Sequence, residues 1–201
     1  MKIIEFITSR FKPVVALPPG NYHLESAPEA GKPYRLHLRL QADGTGILVV
    51  NAATILHLNP TAAEYAYHLV CGATPDEAAK AIASRYRVNR EQARGDYRDF
   101  VDRIQTLAET EDLDPVTFLD FERISPNSAA LTAPLRLDCA LTYRLPEGAD
   151  SLMSPAKRVS RELTTAEWES IIDKAWQAGI PHIVFTGGEA TLREDLPELI
   201  A

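Results

Sequence analysis

The spacing of apolar and polar positions changes twice along the chain, and each change marks a change of element. Over residues 34–41, Leu36, Leu38 and Leu40 alternate with Arg35, His37 and Arg39. A period of two places the leucines on one buried face of a strand and the charged residues on a wet one. Ala42-Asp43-Gly44-Thr45-Gly46 then supplies an Asp-Gly turn, so residues 47–50 fold back antiparallel. Asn51-Ala52 allows a second tight turn into residues 53–58. These runs predict a three-stranded meander whose last strand is an edge.

Helical spacing follows, with a start signal for each segment. Asn59-Pro60 sets a cap and an N1 proline before residues 61–70, and Gly72 ends that helix. Thr74-Pro75-Asp76-Glu77 is a capping box opening a helix to about Arg85, and Asn89-Arg90-Glu91-Gln92 is a second box opening a longer one. In the longer helix Ala93, Tyr97, Phe100, Val101, Ile104 and Leu107 recur at helical intervals. Before this unit, residues 1–33 are rich in Pro and Gly and read as an extended arm. After it, residues 109–133 have the composition of a linker, in which Val116, Phe118, Leu119 and Phe121 offer an apolar anchor.

Beyond Pro134 the pattern becomes strand, helix, strand. Leu135, Leu137, Cys139, Leu141 and Tyr143 alternate over residues 135–143, and a loop of residues 145–163 follows. Thr164-Thr165-Ala166-Glu167 is a third capping box, with Trp168, Ile171, Ile172 and Ala175 on one face and Gly179 at the C′ position. Residues 182–186 form the second strand, and a further helix begins near Leu192. The two strands are expected to be parallel neighbours, covered on one face by the helix carrying Trp168 and Trp176. The other face is expected to be apolar and exposed, and the unit is too short to close a barrel.

Charge and composition narrow the function classes. The 201 residues are 45% apolar and 24% charged with a net charge of −7, ordinary for a globular chain and unsuited to general phosphate binding. No stretch approaches the ~18 apolar residues needed to cross a bilayer, and Glu5 interrupts the short apolar start, so a cytoplasmic protein is expected. Cys71 and Cys139 are too few for a disulfide framework or a four-thiolate metal site. His23, His37, His57, His68 and His182 show no metal-ligand spacing, so no metal site is expected, and no nucleophile-and-base arrangement is evident. Lys80, Arg85, Arg87, Arg90, Arg94 and Arg98 form a local basic patch against Glu91 and Asp96. The Arg and Asp residues after it alternate as on a solvated helix face.

The segment Leu56-His57-Leu58-Asn59-Pro60-Thr61-Ala62-Ala63-Glu64-Tyr65, followed by Gly72-Ala73-Thr74-Pro75-Asp76-Glu77-Ala78, resembles the PqqD-like family of peptide-recognition elements in ribosomal-peptide biosynthesis. The resemblance implies an α+β, winged-helix-like domain over residues 34–108, a three-stranded meander plus three helices. It also implies binding of a precursor's leader peptide by strand addition, the leader lying along the third strand and against the third helix. An edge strand supports this physically, because its unpaired N–H and C=O groups accept another strand. The peptide-binding residues expected on this basis are Thr54, Ile55, Leu56 and His57 on the strand, with Tyr97 and Val101 receiving apolar side chains. Arg94 and Arg98 would meet the acidic residues common in such leaders. The competing reading assigns the same basic patch to DNA on a winged helix.

Residues 134–201 resemble the opening of a radical SAM enzyme, a partial α/β unit at the start of that family's barrel. Pro134-Leu135-Arg136-Leu137-Asp138 leads a first strand, and Val184-Phe185-Thr186-Gly187-Gly188-Glu189 looks like the second-strand signature, although Ala190 stands where proline is frequent. The resemblance implies contacts from Gly187, Gly188 and Glu189 to the amino group of S-adenosylmethionine. The family's Cys-x3-Cys-x2-Cys positions fall on Leu145, Ala149 and Leu152, so no iron–sulfur cluster and no catalytic residue is expected. Three readings follow: a peptide-binding module fused to a degenerate radical SAM-like segment, the N-terminal part of a peptide-modifying enzyme that binds S-adenosylmethionine and whose barrel is completed elsewhere, or a structural remnant of a shortened gene.

Overall fold

The computed structural model describes residues 17–27, 32–120, 133–149 and 160–201. The chain divides into two compact units, residues 1–126 and 127–201. In the first, β1 (Gly20–Glu25), β2 (Arg35–Leu40), β3 (Gly46–Val50) and β4 (Thr54–Leu58) form an antiparallel sheet in the order β1-β2-β3-β4. Three helices follow, α1 (Pro60–Val70), α2 (Pro75–Arg85) and α3 (Arg90–Glu109), then a short α4 (Pro115–Leu119). The unit is α+β, with a fourth strand beyond the expected meander. Part of the expected arm is β1, whose Gly20–Glu25 pairs with Leu40–Arg35 in reverse. Proline and glycine around it concealed a six-residue strand that completes the outer edge.

The turns form as their residues require. Gln41 N donates to Thr45 O at 2.8 Å and Gly44 N to Gln41 O at 3.0 Å, with Gly44 at φ 85°, a type I turn closed by a left-handed glycine. At the next turn Asn51 and Ala52 both have positive φ, 52° and 57°, and Ala53 N donates to Val50 O at 3.1 Å. Asn51 tolerates this conformation and is tied down twice: its Oδ1 accepts from Arg35 N at 2.9 Å, and its Nδ2 donates to Ala108 O at 2.9 Å.

Alternation places Leu36, Leu38, Leu40, Leu48, Val50, Leu56 and Leu58 in one core with Ala63, Ala66, Ile82, Ala93, Tyr97 and Ile104 from the helices. The second face of β2 is not wet. His37 and Arg39 are 9% and 4% exposed, and Ile47 and Val49 beside them are buried. The added strand accounts for part of this cover, since His23 on β1 contacts His37 with ring centroids 4.2 Å apart. Burial pushes the Arg39 guanidinium and the His23 imidazole below their ordinary pKa values. The segment after α3 also departs from a free linker: Asp114 caps α4, Leu119 is buried in the core, and Leu113 and Phe118 pack against it. The expected anchor at Phe121, with Pro126 and Asn127, lies outside the described residues.

A buried carboxylate joins α1 to the end of α2. Glu64 is 2% exposed, Tyr86 Oη donates to its Oε2 at 2.7 Å, and Arg85 Nε lies 2.7 Å from its Oε1. Burial alone would raise the Glu64 pKa, but the neighbouring His68 imidazole, the hydrogen bond from Tyr86 and the Arg85 charge outweigh it and hold it below the usual value.

In the second unit β5 (Leu137–Thr142) and β6 (Ile183–Gly187) are parallel neighbours, Leu137 opposite Ile183. The connecting α5 (Thr165–Gln177) starts at the Thr164/Glu167 capping box. A 3-10 turn (Ala190–Leu192) and α6 (Leu196–Ile200) follow β6. Cys139, Leu141, Trp168 and Leu199 form the core, with Ile171, Ile172, Ile183 and Phe185 packed around it. Trp176 is 53% exposed, so Trp168 alone of the two tryptophans covers the strands. The opposite face is not apolar as expected: Asp138, Ala140 and Thr186 are its exposed residues, and Val184 is half-buried. Period two sends Leu137, Cys139, Leu141, Ile183 and Phe185 to the face that packs with Trp168.

Replacing Glu64 by Gln removes the charge that faces Arg85, and a loss of about 3 kcal/mol in urea unfolding is expected. Because the folded pKa of Glu64 is lowered, its contribution is present above the unfolded value and is lost as pH falls through the lowered one. The E64Q chain should therefore lose less stability than wild type on acidification. Equal acid dependence of both chains would show that the Glu64 charge contributes nothing.

Candidate functional site

In an antiparallel pair each residue bonds to one side only, alternating along the strand. Gln41 N donates to Thr45 O, and Asn51 N to Arg35 O at 2.9 Å, so the odd-numbered residues from Thr45 to Asn51 face β2. Gly46, Leu48 and Val50 therefore bond to β4, through their partners Leu58, Leu56 and Thr54. Ile55 and His57 lie between those partners and turn their N–H and C=O groups away from the sheet. Their side chains are exposed on the face opposite the helices, while Leu56 and Leu58 are buried toward the helices. The β4 edge thus presents a donor and an acceptor at each of two positions.

A groove of about 340 Å³ opens beside this edge. Leu56 and Leu58 from β4, Phe100 and Ile104 from α3, and Tyr65 from α1 give it an apolar lining, and Leu119 of α4 adds to it. Tyr65 and Phe100 rings sit 5.8 Å apart. Burial, then the charges of Asp96 and Glu64, push the Tyr65 pKa up. Asp96, Asp99 and Arg103 of α3 are the charged residues on the groove, and all are exposed.

The expected residues are divided by this geometry. Leu56 lines the groove, and Thr54, Ile55 and His57 lie on the edge strand that borders it. Tyr97 is 2% exposed and donates to Ala73 O at 3.0 Å, and burial pushes its pKa to about 12, so it is a core residue. Arg94 is paired with Asp76 of α2. Arg98 is exposed and Val101 half-buried, and neither lines the groove. The residues of α3 that do line it are Asp96, Asp99, Phe100, Arg103 and Ile104. That stripe is turned by roughly 100° from Tyr97, about one residue around the helix. Its signal was present in the sequence as an i, i+3, i+7 series of charges, which alone looks like a solvated face.

In the second unit, the close packing of strand ends accounts for the two glycines. Gly188 N donates to Thr142 O at 2.7 Å and Glu189 N to Arg144 O at 2.9 Å. A Cβ on Gly187 or on Gly188 would collide with the carbonyl oxygens of Thr142 and Arg144 respectively, and Gly187 has φ 125°. The Glu189 carboxylate accepts from Thr191 Oγ1 at 2.6 Å and from Thr191 N at 3.0 Å, which lowers its pKa. In this conformation both hydrogen bonds from Thr191 end on Oε1 of Glu189, and the N–H groups of Gly188 and Glu189 are bonded to Thr142 O and Arg144 O.

Two residues missed in the sequence hold the same strand ends. Glu162 accepts from Tyr143 N and Thr142 Oγ1, both at 2.8 Å. Arg193, 8% exposed, donates to Leu141 O and Leu163 O and forms a two-pronged pair with Asp195. Cys139 faces the core, where burial raises its pKa, and Cys71 is exposed. Among the described residues no group of three or more His, Cys, Asp or Glu side chains could hold a metal ion. No helix among them is long and apolar enough to cross a membrane.

Comparison with a family model places a likeness on the groove. Residues 46–107 match the family described as coenzyme PQQ synthesis protein D (PqqD), from the start of β3 into the last turn of α3. Every groove residue named above except Leu119 falls inside that match. A PqqA peptide cyclase of Granulibacter bethesdensis is 39% identical over 75 residues, 36% of this chain and 20% of the relative. One from Xanthomonas oryzae pv. oryzae is 37% identical over 70 residues, 34% of this chain and 19% of the relative. The chain thus matches about a fifth of the length of these curated relatives. No solved structure matches it.

Both tryptophans lie in the second unit, so their fluorescence follows its unfolding. Gly188→Ala should lower the stability read this way by about 1–3 kcal/mol, the usual cost of forcing atoms into packed structure. An unchanged midpoint would mean that the strand ends do not approach as closely as described.

Proposed function

We propose that the first unit binds a peptide as an added strand along β4, within a peptide-modifying system. The observation that carries this reading is the outward N–H and C=O of Ile55 and His57 beside an apolar groove, inside the PqqD match. Main-chain bonds to Ile55 and His57 supply sequence-independent affinity, and alternate peptide side chains enter the groove and supply selectivity. The side chains of Thr54 and His57 contribute less than the strand's backbone. The peptide is a precursor or leader segment, by likeness to the family, and the partner is the enzyme that modifies it.

A second reading, binding of S-adenosylmethionine at Gly187, Gly188 and Glu189 as part of such an enzyme, is favoured by the likeness to PqqA peptide cyclases. Binding of a [4Fe–4S] cluster has no support in the ligand set, since Leu145, Ala149 and Leu152 carry no thiolate. The DNA reading is weakened by the ion pairs of Arg85 with Glu64 and of Arg94 with Asp76, which occupy two cations of the basic patch.

Proline at position 55 removes an outward donor, whereas proline at position 56 removes a bond to Leu48. Ile55→Pro should keep the fold and reduce affinity for a leader peptide at least tenfold, while Leu56→Pro should destabilise the unit. Titration of the full chain with leader peptides and with duplex DNA, read by amide chemical shifts, checks this. Shifts along β4 with peptide support the reading. Shifts confined to residues 85–98 and seen only with DNA would replace it with nucleic-acid binding.

A further inference from the structure

The groove's charged residues specify what kind of peptide fits, an inference that rests on the strand-addition reading. Asp96 and Asp99 stand on the groove with Arg103 beyond them. All three are exposed, and no hydrogen bond or ion pair engages their side chains among the described residues. The arginines expected to receive an acidic peptide are elsewhere: Arg94 is paired with Asp76, and Arg98 does not line the groove. The charged lining is therefore two carboxylates against one guanidinium, the reverse of the sign expected from the basic patch.

The spacing converts that sign into a pattern. On α3 a rise of about 1.5 Å per residue puts the midpoint of Phe100 and Ile104 roughly 7 Å along the axis from the midpoint of Asp96 and Asp99. On an added strand, side chains of the same face recur about every 6.7 Å. One same-face step of the peptide therefore matches the interval from the carboxylates to the apolar floor. Phe100 and Ile104, with Leu56 and Leu58 across from them, define that floor.

We propose that the peptide recognised here carries a bulky apolar residue seated on this floor, and a Lys or Arg two positions away that meets Asp96 and Asp99. The basic residue lies toward the N-terminal end of α3. Solvent-exposed pairs contribute modestly, so the two carboxylates together should favour the cation by about 3- to 10-fold. The apolar anchor and the backbone ladder supply the rest. Asp96 and Asp99 act as selectivity residues, with no part in folding the groove.

A displayed library of random decapeptides, selected on the full chain and counter-selected on its I55P variant, tests this. The expected pool is enriched about 3- to 10-fold for Lys or Arg two positions from a large apolar residue. In a parallel selection on the D96N/D99N chain that enrichment disappears while the apolar anchor stays. Enrichment of Asp or Glu at that position, no charge preference, or a Lys/Arg preference that survives D96N/D99N would each overturn the inference and leave strand addition standing. A pool that binds wild type and I55P equally, or no enriched pool at all, would remove the groove reading and this inference with it. Circular dichroism of D96N/D99N confirms that the exposed changes leave the fold intact.

Discussion

Hydrogen-bond alternation across the β2–β3–β4 ladder is the constraint on which the rest of the first unit depends. Once Gln41 bonds Thr45 and Asn51 bonds Arg35, every backbone group of β3 is assigned a side. The same assignment turns Leu56 and Leu58 toward the helices and directs the free N–H and C=O of Ile55 and His57 outward. A slip of a single residue would exchange the two sets, burying Ile55 and His57 and exposing the leucines. The turns guard against that slip. Gly44 and the paired left-handed residues Asn51 and Ala52 fix the loop lengths, and Asn51 fastens the second turn to Ala108 at the far end of α3. The residue that sets the register thus also anchors the helix forming the groove's other wall.

Much of this arrangement is legible from local chemistry. The alternation of Leu36, Leu38 and Leu40, the Asp-Gly turn and the Asn59, Thr74 and Asn89 caps all appear where short-range physics puts them. What was not legible depends on contacts distant in sequence. β1 lies among prolines and gains its place by pairing with β2 and by packing Tyr22 against Tyr67 of α1. Glu64 looks like an ordinary helical glutamate until Tyr86 and Arg85 surround it. The stripe of α3 that lines the groove lies one position from Tyr97, and periodicity alone does not say which stripe meets β4.

The second unit shows how a motif can have a structural reason before it has a chemical one. Gly187 and Gly188 are required by the approach of Thr142 and Arg144, and Glu189 is engaged by Thr191. The same backbone proximity brings Glu162 and Arg193 to the ends of the strands, where each satisfies groups that a parallel pair leaves open. The groove of the first unit is built without these contacts, since β4, α1 and α3 belong to one compact body. The likeness to PqqA peptide cyclases covers about a fifth of their length.

Amide hydrogen exchange along β4 tests the edge strand most directly. In the free protein the N–H groups of Leu56 and Leu58, bonded to β3, should exchange slowly, while those of Ile55 and His57 should exchange fast. On addition of a bound peptide, Ile55 and His57 should become protected and their neighbours should change little. Protection of Ile55 and His57 that is already high in the free chain, or that peptide binding leaves unaltered, would contradict strand addition at β4.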